Sequence, residues 1–273
     1  MTIAAGVWCS DGLIICADTE INQDNSKYER MKVFAHEDWL LVTGAGWFDY
    51  LKMAFDKLRA RFQTERPNDS EAARKSVEEI VLEVYERNIG SVFNVGDPQS
   101  PSFDMIVGVR CANGELTLIK TSLTAVSLSD NPSVAVGVGW PLFEYWAKYF
   151  FATRRSMDVT SYFCMFILRE IKQSAYGCGG ATCVFKLATD TSKPKSFRQV
   201  FSDADILAGF PQTAVNLLLE CADGSNLNFS VSLWKQQLDQ LSQYFRMVST
   251  QEEHAQTAME EIGKINKPSK ESK

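Results

Sequence analysis

The chain has 273 residues, 45% apolar and 11% aromatic, enough for one large domain or a domain with an appendage. Its 28 Lys and Arg stand against 34 Asp and Glu, a net charge of −6. That balance argues against nucleic acid and anionic membrane as main partners, because both reward a basic surface.

Ile3-Ala4-Ala5-Gly6-Val7-Trp8-Cys9 is a small, apolar run that predicts a strand. Ser10-Asp11-Gly12 turns the chain, and Leu13-Ile14-Ile15-Cys16-Ala17 returns as a second strand. Both runs are apolar almost throughout, as expected of a sheet covered on two faces. A second hairpin is expected from Val33-Phe34-Ala35 and Trp39-Leu40-Leu41-Val42 around His36-Glu37-Asp38. The period then changes: Phe48, Leu51, Phe55, Leu58 and Phe62 recur at steps of three and four and predict an amphipathic helix that Pro67 ends. Asn68 with Glu71 reads as the cap of a second helix whose buried side carries Val77, Ile80, Val81 and Val84. Gly96 to Pro101 is a loop.

Strands resume at Met105 to Cys111 and Leu116 to Ile119, joined at Asn113-Gly114, and again at Ala125 to Leu128 and Val134 to Gly137. Helices follow at Pro141 to Ala152 and Asp158 to Ala175, then Gly177-Cys178-Gly179-Gly180 and a strand from Ala181 to Ala188. Helix pairs falling between sheet segments suit an α+β fold with helices outside two stacked sheets. The domain reads as 1–203, with a helical extension over 204–262 and a polar, disordered tail over 263–273.

The opening stretch has neither a basic region nor an uninterrupted apolar run, and no segment approaches the roughly 20 apolar residues of a membrane span. Seven Cys without a C-x-x-C pair, and only two His, offer no zinc site. The expectation is a soluble, cytoplasmic, reduced protein without metal or cofactor.

Chemistry gathers at the start of the chain. Methionine before a small residue such as Thr is ordinarily trimmed, which would leave Thr2 with a free α-amine. A threonine hydroxyl is a poor nucleophile without an adjacent base, and an N-terminal threonine carries one, since an α-amine titrates near ~8. Asp18 ends the second strand, Lys32 opens the third, and Gly46 follows the fourth where a helix begins. A buried Lys32 would favour the ionised hydroxyl, Asp18 would balance the ammonium, and the Gly46 N–H could meet a developing oxyanion.

The stretch MTIAAGVWCSDGLIICADT, then Lys32-Val33, then Thr43-Gly44-Ala45-Gly46, resembles a proteasome β-type subunit. It is also similar to the bacterial proteasome-like peptidases of the N-terminal nucleophile hydrolase superfamily. The likeness is close over residues 2–46 and follows element order over roughly residues 2–190. It implies a four-layer αββα sandwich, self-association into a ring, and cleavage of peptide or unfolded-protein substrates. Residue by residue, it implies Thr2 as nucleophile and base, Asp18 and Lys32 as the supporting pair, and Gly46 as oxyanion donor. Thr19, Gly44, Phe48 and Lys52 would line the specificity pocket, where a cation suits acidic or polar side chains. The family's Ser in a Gly-Ser-Gly turn is Val138 here, and its later Asp and Ser read Ser174 and Gly177-Cys178. Ser174 could accept a bond from the amine or from Thr2, but it cannot carry charge.

Two rival readings stay open: a structural subunit with a silent site, and an enzyme that passes the acyl group to an amine or acts on a small amide. Cys178 between glycines looks like a nucleophile turn, yet no His is placed to serve it, and a tight helix-to-strand turn is the simpler reading. The aromatics Trp140, Tyr145, Trp146, Tyr149, Phe150 and Phe151 suit a core or a subunit interface.

Overall fold

The structure is a computed structural model that describes residues 2–23, 26–91, 93, 100–190 and 198–201. All belong to the first of two units, Met1–Ala208; the second, Gly209–Lys273, lies outside the described residues, and with it most of the expected helical extension and tail. The described part is α+β.

In chain order the strands are β1 (Ile3–Trp8), β2 (Gly12–Asp18), β3 (Glu20–Gln23), β4 (Ser26–Glu29), β5 (Phe34–His36) and β6 (Leu40–Gly46). Helices α1 (Phe48–Thr64) and α2 (Ser70–Val84) follow, the latter running into a π-helical turn at Tyr85–Ile89. Then come β7 (Phe103–Arg110), β8 (Leu116–Ser122), β9 (Ala125–Leu128) and β10 (Ser133–Gly137). Helices α3 (Trp140–Phe150) and α4 (Met157–Ser174) precede β11 (Thr182–Ala188) and β12 (Arg198–Phe201).

Two five-stranded antiparallel sheets result, ordered β10-β1-β2-β11-β12 and β5-β6-β7-β8-β9, with β3-β4 as a separate hairpin. The Asp-Gly turn closes as expected, the Cys9 N–H donating to the Gly12 carbonyl at 2.8 Å. Side chains alternate across each strand and sort into two clusters. Leu40 and Val42 of β6, with Met105 and Val107 of β7, pack on Leu51, Phe55, Leu58, Val77 and Val81 of α1 and α2. The residues between them, Leu41 and Ile106, join Ala4, Leu13, Ile15 and Ala17 of the other sheet. Helix α4 packs on the far side of β2, where the Cys16 and Cys164 thiols are hydrogen-bond neighbours. Apolar residues on both faces of β1, β2, β6 and β7 thus each have a surface to cover.

Four details differ from the sequence expectations. The β3–β4 hairpin is formed by the polar segment Glu20–Glu29, which has no apolar alternation to announce it. The third expected strand begins at Phe34, so Lys32 lies in the irregular backbone before it instead of opening it. Asp69, not Asn68, caps α2, its carboxylate accepting the Ala72 N–H at 2.8 Å. Strand β6 runs on through Gly46, so α1 starts two residues later than the glycine. Among the described residues no helix is long and apolar enough to cross a membrane.

Between the sheets, two glycines face side chains of the opposite sheet. A Cβ on Gly6 of β1 would stand 2.8 Å from Leu118 Cδ1 and 2.9 Å from Ile106 Cγ2. One on Gly108 of β7 would stand 2.8 Å from Leu13 Cδ1. Gly108→Val should therefore cost about 1–3 kcal/mol through overpacking, read as a lower Tm. An unchanged Tm would show that the sheets do not meet there.

Candidate active site

Thr2 directly precedes β1, and pairing on both sides holds that strand: Ala4 lies opposite Ala17 of β2 and Val136 of β10. The turn after β10 closes over the residue. Gly137 adopts φ +92°, and a Cβ there would come 2.3 Å from the Thr2 carbonyl oxygen, so the position accepts only glycine. The Gly139 N–H reaches the same oxygen at 3.5 Å.

The Thr2 hydroxyl donates to Asp18 Oδ1 and accepts from the Lys32 ammonium. Lys32 Nζ also donates to Asp18 Oδ1 at 2.8 Å. Exposures of 3% at Thr2, 0% at Asp18 and 4% at Lys32 put all three groups out of water, where neither charge would be tolerated alone. The rest of the carboxylate is also used: Oδ1 accepts the Ile3 N–H at 3.1 Å and Oδ2 the Gly179 N–H at 3.0 Å. The Lys32 carbonyl accepts the Thr43 hydroxyl at 3.1 Å, tying the irregular segment to β6. Burial lowers the Lys32 pKa from its ordinary 10.5, and the Asp18 charge opposes that drop.

The end of β6 lies beside this cluster. The Cβ position of Gly137 that meets Thr2 is also 3.0 Å from the Ala45 Cβ. Gly46 adopts φ +100°, and a Cβ would strike the Ser102 carbonyl at 2.1 Å. The Trp47 N–H donates to that carbonyl at 2.9 Å. In the alternation of an antiparallel ladder, the neighbouring pair, Gly46 opposite Phe103, is then the kind that exchanges no hydrogen bonds. The Gly46 amide is therefore not spent on β7.

The other expected site residues fall out differently. Ser174 is the last residue of α4 and is exposed, and it makes no hydrogen bond to Thr2 or Asp18. From the turn that follows, the Gly179 amide, which the sequence reading passed over, donates to the Asp18 carboxylate. Thr19 is a strut: its hydroxyl donates to Glu29 at 3.1 Å and accepts the Ala181 N–H at 2.7 Å. Gly44 is buried within β6, where the Asp104 carbonyl leaves room only for glycine. Phe48 opens α1, half-buried, its ring 5.7 Å from that of Phe34. Lys52 is exposed and paired with Asp56 at 2.5 Å. The cation that faces Phe48 is Arg30, its guanidinium 4.7 Å from the ring centroid, a residue the sequence reading passed over.

Val138 is exposed and supplies no hydrogen bond from its side chain. Cys178 is buried beside the charged pair, and burial pushes its thiol up to about 12, with Asp18 adding to the rise and Lys32 opposing it. It is a neutral thiol, not a nucleophile. Nothing in sequence spacing could have singled out Gly179, because its role is carried by its backbone.

No family model and no curated protein matches the chain. What the arrangement can do chemically follows from its atoms. A hydroxyl between a carboxylate acceptor and an ammonium donor is set to lose its proton, because the ammonium stabilises the alkoxide that remains.

Asp18→Asn should push the Lys32 pKa further down, because burial then acts against a weaker opposing interaction; the Lys32 Cε chemical shift followed against pH checks this. Unfolding returns Lys32 to 10.5, so between its lowered value and 10.5 the unfolded chain holds the extra proton. The residue's drag on stability accordingly fades as pH rises through that window. A Lys32 titration that stays put or moves up in the variant would contradict the pairing.

Proposed function

We propose that the chain is a threonine-type peptidase of the N-terminal nucleophile class, proteasome-like, with Thr2 as its nucleophile once Met1 is removed. The observation that carries this is the Thr2 hydroxyl held between buried Asp18 and Lys32. Removal of Met1 turns the residue 2 nitrogen from an amide into an amine beside its own hydroxyl. That amine takes the hydroxyl proton, directly or through one water, as Thr2 Oγ attacks the scissile carbonyl. Lys32 stabilises the alkoxide, Asp18 fixes Lys32, and the Gly46 N–H receives the carbonyl oxygen as it gains charge. Collapse of the tetrahedral intermediate passes the proton to the leaving amine and leaves an ester on Thr2, which water then hydrolyses.

The packing supports the four-layer αββα sandwich of that class: two sheets share one apolar cluster, and helices cover the other face of each. The exposed Trp140, Tyr145 and Tyr149 of α3 support self-association, the expected means of sequestering such a site. Buried thiols at Cys9, Cys16, Cys111, Cys164 and Cys178 suit a reducing, cytoplasmic setting. Arg30 over Phe48 supports substrates with an acidic side chain beside the scissile bond.

The second reading, a structural subunit with a silent site, is favoured by the exposed Val138 and Ser174, which leave a terminal amine with fewer partners. Intact mass decides first: the peptidase requires loss of Met1. A peptide epoxyketone should then add to Thr2, and Thr2→Ala should abolish the adduct and lower kcat/KM by at least about 10³-fold. A retained Met1, or a trimmed protein that forms no adduct and cleaves no peptide, would leave the structural reading.

A further inference from the structure

We infer that Tyr85 is a positioning residue for the Gly46 amide, acting through the backbone of Phe103. The inference rests on the hydrolase reading above and names a part of that same site. Tyr85 is 3% exposed and opens the π-helical turn that extends α2. Its hydroxyl serves one residue twice, accepting the Phe103 N–H at 3.1 Å and donating to the Phe103 carbonyl at 3.0 Å. The two rings stack at 5.1 Å with 14° between their planes. Phe103 is the register partner of Gly46, and the adjoining Ser102 carbonyl both holds the Trp47 N–H and blocks any side chain at Gly46.

The pair 46/103, the last of the β6–β7 register, exchanges no hydrogen bonds of its own, and there the Tyr85 hydroxyl holds Phe103. Burial raises the Tyr85 pKa, so the hydroxyl keeps the proton it donates. With that oxygen gone, Phe103 has a buried N–H without a partner, and the 102–103 segment that sets the left-handed Gly46 is free to shift. A π-turn places a side chain where an α-helical register would not, and such turns recur at functional sites.

The test uses the full, Met1-trimmed chain and compares Tyr85→Phe with Val81→Ala, a cavity in the same helix–sheet core. Both variants lose thermal stability. Tyr85→Phe should lower kcat on a fluorogenic peptide about tenfold to a hundredfold with KM within about twofold. It should weaken a peptide aldehyde, which forms a tetrahedral adduct, by a similar factor. Val81→Ala should change neither by more than about twofold. Amide hydrogen exchange at Trp47 supplies a readout independent of activity, expected to be about tenfold faster in Tyr85→Phe and unchanged in Val81→Ala. Wild-type activity with a Tyr85→Phe kcat and Trp47 exchange equal to those of Val81→Ala overturns this inference alone. A wild type inactive on every peptide overturns the hydrolase reading; faster Trp47 exchange would then retain Tyr85 as a holder of the Gly46 turn, and unchanged exchange would end that too.

Discussion

Taking a lysine ammonium and an aspartate carboxylate out of water costs several kcal/mol for each ion, and only close pairing with further hydrogen bonds offsets it. Lys32 and Asp18 meet that condition through four donors on the carboxylate: the ammonium, the Thr2 hydroxyl and two backbone amides. Those donors come from β1, from the segment ahead of β5 and from the turn ahead of β11. The pair is therefore a junction as well as an electrostatic device. It makes the position of Thr2 depend on three separate stretches of backbone, and it places a positive charge against a hydroxyl that ionises poorly by itself.

Around that junction, geometry is set mainly by groups without side-chain chemistry. Gly137 lets the turn after β10 press on the Thr2 carbonyl, and Gly46 lets β6 end in a conformation that other residues resist. Gly6 and Gly108 bring the two sheets close enough that leucine and isoleucine tips fill the gap. The ends of β1, β2 and β6 thus hold Ile3, Asp18 and Gly46 around the Thr2 cluster, and groups placed on strands keep their geometry better than groups placed on loops.

Much of this was readable from residue order. Apolar runs punctuated by Asp11-Gly12 and Asn113-Gly114 marked β1, β2, β7 and β8, and a change of period at Phe48 marked the first helix. Thr2 stood out because a threonine after the initiator methionine can carry its own base, and Asp18 and Lys32 because their spacing resembles that of proteasome β-type subunits. The polar β3–β4 hairpin escaped, since its residues pair with each other without an apolar face. Ser174 was misplaced because a hydroxyl near the end of a helix says nothing about which way the helix end points. Gly179 and Arg30 escaped for opposite reasons: one contributes an amide that every residue has, the other is a surface arginine by every local criterion. Tyr85 is part of the core, and its hydroxyl's two bonds to Phe103, which no sequence pattern announces, set it apart.

The bond from the Gly179 amide to Asp18 spans 161 positions of chain. During synthesis, Thr2, Asp18 and Lys32 leave the ribosome long before the segment that completes the carboxylate's shell. A nascent fragment ending short of β10 would carry Thr2 with an Asp18 that still lacks the Gly179 donor and a sheet without β10 and β11 beside β1 and β2. Assembly order thus leaves the cluster around Thr2 unfinished until the turn ahead of β11 has been made.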